Sequence, residues 1–471
     1  MITTVLVLIF LIALLYVGFV IGRAYVINYS WNKKLEHIPG VTQFLPVFFP
    51  RIPLFYKPLH YDGKVYPSYQ SVIKKHGVKG VVRTISYTNI MISVYGPESI
   101  KHIIVTNAKN YPKPTGSIYT PFEIFGSNVL SANDDLWRKH RLLCNPAFND
   151  KHLNMLVDVA NQTMIDLRGT NWNQDSFIVD VKKTMTQITL QIMGLAAFNV
   201  DFNALHGGVQ DFDKTRFRSS FGDALHRVSN QGILLRAKTN GWIRNLPIKV
   251  FRDALHDIHD VDLYLKEMIE ERSRSHIYES KHDLLSLLIA ANHGDVKTGL
   301  TSQEIKSDSF IFMFAGHDTT SSQLQWTLWE LASNQYVQDK LREEIRQVLG
   351  GNQHISFEDC DELKYALCVI KESMRLHAPI EVFFRQARND DVINGYKIPK
   401  GASLRVNIIA THMDPEHWPE PHVFRPERFD GNNKINQWAY LPFSLGTRMC
   451  IVSLLDLMAK IDCNNWEANL V

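Results

Sequence analysis

Cysteine and net charge are both scarce in this sequence. Five cysteines are scattered through 471 residues, and their odd number and irregular spacing argue against a disulfide framework and for a reducing compartment. The net charge of +3 is too small to indicate nucleic acid as a partner. The chain also lacks internal repeats, long low-complexity tracts and a glycine-rich nucleotide-binding fingerprint. A solenoid, a large disordered domain and a built-in nucleotide site are therefore not expected.

One long uncharged run opens the chain. Residues 2–22 are rich in leucine, isoleucine and valine, and at roughly 1.5 Å per residue they match the ~30 Å core of a bilayer. A cleavable signal peptide is the alternative, but no small-residue cleavage site follows. We predict a transmembrane anchor at residues 1–22 and a stiff, proline-dotted linker at residues 23–58. The positive residues that follow the span predict a cytosolic catalytic part, and they are Arg23, Lys33 and Lys34.

The most informative stretch lies near the C-terminal end. Within eight residues it contains Phe443, Gly446, Arg448 and Cys450. Glycine allows a sharp loop, and backbone N–H groups with a nearby arginine favour a cysteine in its thiolate form. The aromatic ring can shield the sulfur, and the arginine can bind a haem propionate. An ordinary core cysteine is the alternative for Cys450 alone, but the combination predicts a haem-thiolate loop.

The spacing Phe443-x-x-Gly446-x-Arg448-x-Cys450 resembles the signature of the cytochrome P450 superfamily. The resemblance implies a mainly α fold with a small β region (α+β) in residues 59–451, and haem ligated by Cys450. It further implies insertion of one oxygen atom from O2 into a small apolar substrate, with electrons from an NADPH-dependent flavoprotein reductase. The expected location is the endoplasmic reticulum membrane. Residues 119–129 would contribute to the substrate pocket.

A second family motif lies in a predicted helix over residues 302–333. Glycine and consecutive β-branched residues are unfavourable inside a helix, which suggests a function for the sequence around Ala315. Thr319 can donate a hydrogen bond to the carbonyl four residues earlier, which opens the helix into a groove for a diatomic ligand. In the resembling family an acid and an alcohol here deliver protons, and Asp318 and Thr319 match them. The alternative is an Asp-Thr N-cap between two shorter helices. His317 is interpreted as satisfied or exposed rather than as an iron ligand.

Two further segments match the family's haem contacts. Trp137 and Arg141 are four residues apart and share a face of a predicted helix, and the resemblance makes both of them propionate donors. The alternative is a solvated basic helix face. Arg385 matches a position that supplies another propionate contact in some family members.

A structural motif is predicted beside the cysteine loop. Glu372 and Arg375 alone would be a weak surface pair on a helix. The resemblance places Arg428 with them, which predicts a buried triad that stabilises the fold rather than taking part in catalysis.

Two hairpins account for the predicted sheet. Apolar alternation in residues 81–86 and 90–95, with Thr88 and Asn89 between them, predicts the first. Residues 392–401 predict the second, with an Asn-Gly turn.

The sequence departs from the family after Ile451. Val452 stands where the family usually has glycine, and residues 452–471 form an atypical tail without the family's closing hairpin. A short replacement helix and a truncated, non-catalytic relative that does not retain haem both stay open. Because Val-Ser can be encoded as GTAAGT, a splice donor, we hypothesise that the tail is translated intron. Other codons at Val452-Ser453 in the gene would refute this.

Overall fold

A computed structural model describes most of the chain between residues 29 and 451. The described residues are 15, 18, 22, 29–42, 80–86, 89–115, 119, 122–148, 150–168, 178–206, 220–230, 249–274, 283–290, 299–352, 354–431 and 433–451. They fall into two compact units. The first takes described residues of Met1–Pro114, Ile380–Val423 and Ile435–Arg448, and the second takes those of Thr115–Pro379, Phe424–Lys434 and Met449–Val471.

The first unit is built on β-strands. The strands are β1 Gly40–Thr42, β2 Val81–Ser86, β3 Asn89–Val94, β4 Val382–Gln386, β5 Asp391–Ile393, β6 Tyr396–Ile398 and β7 Ser403–Asn407. Five of them form a sheet in the order β1-β2-β3-β7-β4, with parallel pairs β1–β2 and β3–β7 and antiparallel pairs β2–β3 and β4–β7. Strands β5 and β6 form a separate antiparallel pair.

Both predicted hairpins are present in the first unit. Strands β2 and β3 pair with Val81 opposite Val94, and consecutive residues of both strands are buried, among them Val81 and Val82 on β2 and Ile92 and Val94 on β3. Strands β5 and β6 are joined by Asn394 and Gly395, whose φ angles of 48° and 82° are those of a tight left-handed turn. Part of the segment predicted to be linker, Gly40–Thr42, pairs with β2 as a strand.

Short helical segments complete the first unit. Helix α1, Pro97–Lys101, runs directly into a π-helix at His102–Thr106, which is followed by a 3-10 turn at Ala108–Asn110. Further elements of this unit are α12 at Ile408–His412 and 3-10 turns at Gln437–Ala439 and Gly446–Arg448. The last turn carries the start of the predicted cysteine loop.

The second unit is helical. Its helices are α2 Asp134–Cys144, α3 Asp150–Arg168, α4 Val181–Met193, α5 Phe221–Asn230, α6 Lys249–Arg274, α7 Leu284–Ala290, α8 Ser302–Ser333, α9 Gln335–Leu349, α10 Phe357–Glu362 and α11 Lys364–Leu376. A π-helix at Gly194–Phe198 extends α4, and a 3-10 turn at Pro426–Phe429 follows the helices. Together with the small sheet of the first unit, these helices confirm a mainly α fold with a small β region.

Helix α8 organises the second unit. Thr301 caps its N-terminus, with the Thr301 hydroxyl accepting from the Glu304 N–H and the Glu304 carboxylate accepting from the Thr301 N–H. Its first half is buried in the main apolar core of the unit, which includes Phe310, Phe312 and Met313. Packing on several sides therefore fixes residues 307–313 of α8, which are all buried.

The membrane prediction falls on residues that the structure hardly describes. Of the predicted anchor only residues 15, 18 and 22 are described. Across the described part of the chain, no helix combines the length and the apolar character that a bilayer crossing requires. The anchor at residues 1–22 stays a prediction, and the atypical tail at 452–471 also lies outside the described residues.

Candidate active site

The predicted acid-alcohol pair lies in the middle of α8. The Thr319 hydroxyl donates to the Ala315 carbonyl at 2.7 Å, as the sequence predicts. Helix α8 runs without a break from Ser302 to Ser333, so the alternative of two shorter helices with an Asp-Thr cap is wrong. Asp318 is exposed to solvent, while Ala315 and Thr319 are half-buried.

A second hydroxyl contacts the same turn, and the sequence did not reveal it. Thr189 of α4 donates to the His317 carbonyl at 3.0 Å. The helices approach closely because residue 316 is glycine, and a Cβ there would lie 2.7 Å from the terminal carbon of Met193. Hydroxyls of Thr189 and Thr319 therefore contact two main-chain carbonyls of this turn, and contacts of this kind favour bending of a helix.

His317 is a buried core histidine. It is fully buried, and its Nδ1 lies 2.7 Å from the Met313 carbonyl, which is consistent with Nδ1 as the donor. Burial lowers the pKa of His317, so the ring is neutral near pH 7. The interpretation of His317 as a satisfied residue therefore holds for Nδ1 only, because Nε2 is buried without a hydrogen-bond partner in the described part of the chain.

Helix α2 places one predicted haem contact beside the cysteine segment. The Arg141 guanidinium donates to the Met449 carbonyl at 2.9 Å, directly before Cys450 in the chain. Trp137 lies one turn earlier and is half-buried. Arg138 on another face is exposed and pairs with Asp135. The basic helix face is therefore only partly solvated.

A buried acid-base pair fixes α2 against α8. His140 and Asp308 are both fully buried, and Nδ1 of the histidine lies 2.6 Å from the carboxylate. The other carboxylate oxygen of Asp308 accepts the Val129 N–H at 2.8 Å. Lys139 binds Glu304 one turn away at 3.0 Å. Nothing in the local sequence marks these pairs, because the partners lie far apart in the chain.

Aromatic side chains line the region next to Ala315. Phe314 contacts Phe122 edge to face at a centroid distance of 5.5 Å, and Phe310 contacts Phe125 in the same way at 5.0 Å. The Ser307 hydroxyl binds the Gly126 carbonyl at 2.7 Å and so fixes this segment to α8. The neighbourhood of the helix groove is therefore apolar.

The first unit holds the start of the cysteine loop. Gly446 has φ of 72°, and a Cβ at this residue would lie 2.5 Å from the Ile104 carbonyl oxygen. The Leu441 N–H donates to Nε2 of His412 at 2.8 Å, which fixes the strand-like approach to the loop. Phe443 and Arg448 are half-buried. Gly446 is thus required both for its backbone angle and for the close contact.

Arg385 is the other predicted haem contact in the first unit. It lies on β4, its side chain is only 5% exposed, and its guanidinium donates to the Phe384 carbonyl at 2.8 Å. The same guanidinium lies 4.7 Å from the centre of the Phe383 ring. Its charge is therefore held in a buried position by its own strand.

Cys450 differs from the other described cysteines. Burial raises the pKa of the thiols of Cys144, Cys360 and Cys368, which keeps them protonated near neutral pH. Cys450 is exposed, so the alternative of an ordinary core cysteine is wrong. No group of three or more His, Cys, Asp or Glu side chains among the described residues could hold a metal ion. Haem iron needs only one axial ligand from the protein in addition to its porphyrin nitrogens, and a cysteine thiolate can supply it. The exposed Cys450 therefore fits haem.

The predicted triad is present and buried. Arg375 donates twice to the Glu372 carboxylate, with both distances 2.8 Å, and Nε of Arg428 donates to it at 3.2 Å. Glu372 and Arg375 are fully buried, so the weak surface pair is wrong. The Arg425 N–H also donates to Glu372 at 3.0 Å.

The comparison with known proteins decides the family. The family model described as cytochrome P450 matches residues 46–451. The chain belongs to the cytochrome P450 family. This P450 is therefore a haem-thiolate protein of the monooxygenase class.

Similar proteins come from distant organisms. Cytochrome P450 monooxygenase 124 of Postia placenta is 29% identical over 372 residues, covering 75% of this chain and 70% of that protein. Cytochrome P450 4F3 of Mus musculus is 29% identical over 384 residues, covering 77% of this chain and 71% of that protein. The crystal structure of the cytochrome P450DA heme domain has a TM-score of 0.73 at 24% identity, with 90% of each chain covered. This last similarity shows the fold.

Proposed function

We propose that this P450 inserts one oxygen atom from O2 into an apolar organic substrate, using electrons from a separate NADPH-dependent flavoprotein reductase. The observation that carries the proposal is the hydrogen bond from Thr319 to Ala315 in an unbroken helix, with exposed Asp318 beside it. A hydroxyl that is bound to a helix carbonyl next to a solvated acid is suited to proton delivery.

The haem would be held by residues from several segments. Cys450 would ligate the haem iron as a thiolate, Phe443 would shield the sulfur from water, and Gly446 would let the loop backbone approach the haem closely. The propionate groups would be bound by Trp137, Arg141, Arg385 and Arg448. When bound, the haem supplies the reduction of O2, and a thiolate ligand favours O–O cleavage. Two of the arginines are already held in place, since Arg141 contacts Met449 and Arg385 is fixed by its own strand.

The side chains of α8 would control protons and water. Asp318 exchanges protons with solvent, and the Thr319 hydroxyl passes them inward while the Ala315 carbonyl orients it. Phe122 and Phe314 exclude bulk water from the groove and favour an apolar substrate. Exclusion of water limits the loss of reducing equivalents to side reactions.

The decisive test is a reduced, carbon-monoxide-bound difference spectrum of the full chain. The red-shifted Soret band of thiolate-ligated haem is expected, and Cys450→Ser should abolish it. Cys144→Ser is the matched control, because Cys144 is a buried thiol of raised pKa and should leave the band unchanged. Absence of the band in the unaltered chain would favour a non-catalytic relative that does not retain haem.

We further propose that residues 1–22 anchor the catalytic part to the endoplasmic reticulum membrane. The apolar run at 2–22 supports this. A charge at the centre of a spanning helix costs roughly 2.5 to 3.5 kcal/mol. Leu11→Arg with Leu14→Arg should therefore release the protein from membranes at alkaline pH, whereas Leu11→Ile with Leu14→Ile should not. Equal retention of both variants would refute the anchor.

A further inference from the structure

A single carboxylate oxygen binds both ends of the π-helix in the first unit. Oδ2 of Asp391 lies 2.8 Å from Nε2 of His102, the first residue of that helix, and 2.9 Å from Nδ2 of Asn107, the residue after it. The hydroxyl of Tyr111 donates to the same oxygen at 2.6 Å. We call these four side chains, His102, Asn107, Tyr111 and Asp391, the carboxylate clamp.

The carboxylate of the clamp is itself fixed and ionised. Oδ1 of Asp391 accepts the Val392 N–H at 2.8 Å at the start of β5. Burial by itself raises the pKa of Asp391, but the hydrogen bonds from Tyr111, His102 and the Val392 backbone lower it to about 2. The β5–β6 hairpin is also tied to α1, since Asn394 donates to the Ser99 hydroxyl at 2.7 Å. Asp391 therefore offers a stationary negative charge to the π-helix.

The π-helix needs such support. Helices with this hydrogen-bond pattern are rare and usually confined to one turn, because their packing around the axis is poor. Here the turn is closed by the Asn107 N–H on the His102 carbonyl at 2.8 Å. The two residues of that closing bond are the ones whose side chains reach Asp391. The clamp therefore stabilises the turn at both of its ends.

The π-helix in turn determines where the cysteine loop lies. A Cβ on Gly446 would meet the Ile104 carbonyl oxygen at 2.5 Å and a methyl carbon of Val105 at 3.2 Å, so the loop backbone packs directly on the π-helix. Contacts this close do not permit the helix to shift without moving the loop. Cys450 follows Gly446 closely in the chain.

We propose that Asp391 is a positioning residue for the haem thiolate: through the π-helix it fixes the loop that presents Cys450. The inference rests on the proposed function, in which Cys450 is the haem ligand. Asp391 touches neither Gly446 nor Cys450 directly, so it acts only through the π-helix. Supporting groups of this kind orient a metal ligand and tune its electron donation.

The test compares neighbouring carboxylates in the full chain. Asp391→Asn should reduce the thiolate fraction of the carbon-monoxide spectrum several-fold at equal haem content, less than the roughly 10-fold cost of losing a direct outer-shell partner. Asp390→Asn is the matched control, because its carboxylate accepts the Lys400 N–H at 2.7 Å within the hairpin, and it should retain the spectrum of the unaltered protein. Asp391→Glu should restore part of the thiolate band.

Tyr111→Phe keeps the test informative if Asp391→Asn does not fold. Tyr111→Phe removes one hydrogen bond of the clamp, and a lowered thiolate fraction in this variant also supports the proposal. If Asp391 only stabilises the fold, the variants should have a lower melting temperature but an unchanged carbon-monoxide spectrum. That result for Tyr111→Phe, and for Asp391→Asn if it folds, overturns the inference. Persistence of the thiolate band in Cys450→Ser would refute the ligand assignment and the inference together, whereas failure of the clamp variants alone leaves that assignment intact.

Discussion

Replacement of Gly446 by alanine tests how tightly the cysteine loop is constrained. At φ of 72° a non-glycine residue costs roughly 1 to 2 kcal/mol. The new Cβ would also lie 2.5 Å from the Ile104 carbonyl oxygen, which forces a backbone shift, and overpacking of this kind costs about 1 to 3 kcal/mol. Gly446→Ala should therefore destabilise the protein by about 2 to 5 kcal/mol in total.

Gly350 supplies the matched control. Its φ of 56° is also left-handed, but no atom lies within 4 Å of the position that its Cβ would take. Gly350→Ala should then show only the backbone cost of about 1 to 2 kcal/mol. The difference between the two variants isolates the contact with Ile104.

The assay combines urea unfolding with the carbon-monoxide difference spectrum. Gly446→Ala should lower the free energy of unfolding more than Gly350→Ala, and it alone should lose thiolate-ligated haem. Equal destabilisation, with the thiolate band retained in both variants, would show that the loop can relax away from the π-helix and would refute the reasoning.

Three further changes have defined outcomes. Glu372→Gln breaks a buried triad and should lower the free energy of unfolding by about 3 to 5 kcal/mol. Asp339→Asn, in an exposed pair of the same spacing, should lower it by less than about 1 kcal/mol. Similar losses in the two variants would contradict the argument that burial makes the triad costly to break. Thr319→Val should divert electrons to hydrogen peroxide and lower the product formed per NADPH by roughly 10²-fold. Thr319→Ser keeps a hydroxyl and should retain the product yield per NADPH. An unchanged yield in the valine variant would exclude proton delivery by the hydroxyl. Because the pKa of Asp391 is lowered to about 2, its contribution of about 2 kcal/mol to the free energy of unfolding is complete above about pH 4 and is lost as the pH falls towards 2. The free energy of unfolding should therefore depend less steeply on pH in Asp391→Asn than in the unaltered protein. Identical slopes in the two proteins would be evidence against the clamp.

Local spacing made several features of this P450 predictable. The cysteine motif indicated the family, and the family comparison confirmed it. Helix α8 and both hairpins were predicted because apolar periodicity and an Asn-Gly turn act between residues near in sequence. The Thr319 hydrogen bond followed from a four-residue spacing on one helix. The triad of Glu372, Arg375 and Arg428 came from the resemblance, since its members alone carry no such information.

Other features were decided only by the tertiary structure. The contact of Arg141 with Met449 joins residues 308 positions apart, and the clamp joins His102 to Asp391 across 289 positions. The buried pair of His140 and Asp308 is formed by residue types that occur throughout the chain. Sequence determined which chemistry the cysteine loop and α8 can support, because those motifs are local. Which distant side chains hold the loop in place depends on how the chain packs, because hydrogen bonds of this kind form only after folding has brought their donors and acceptors together.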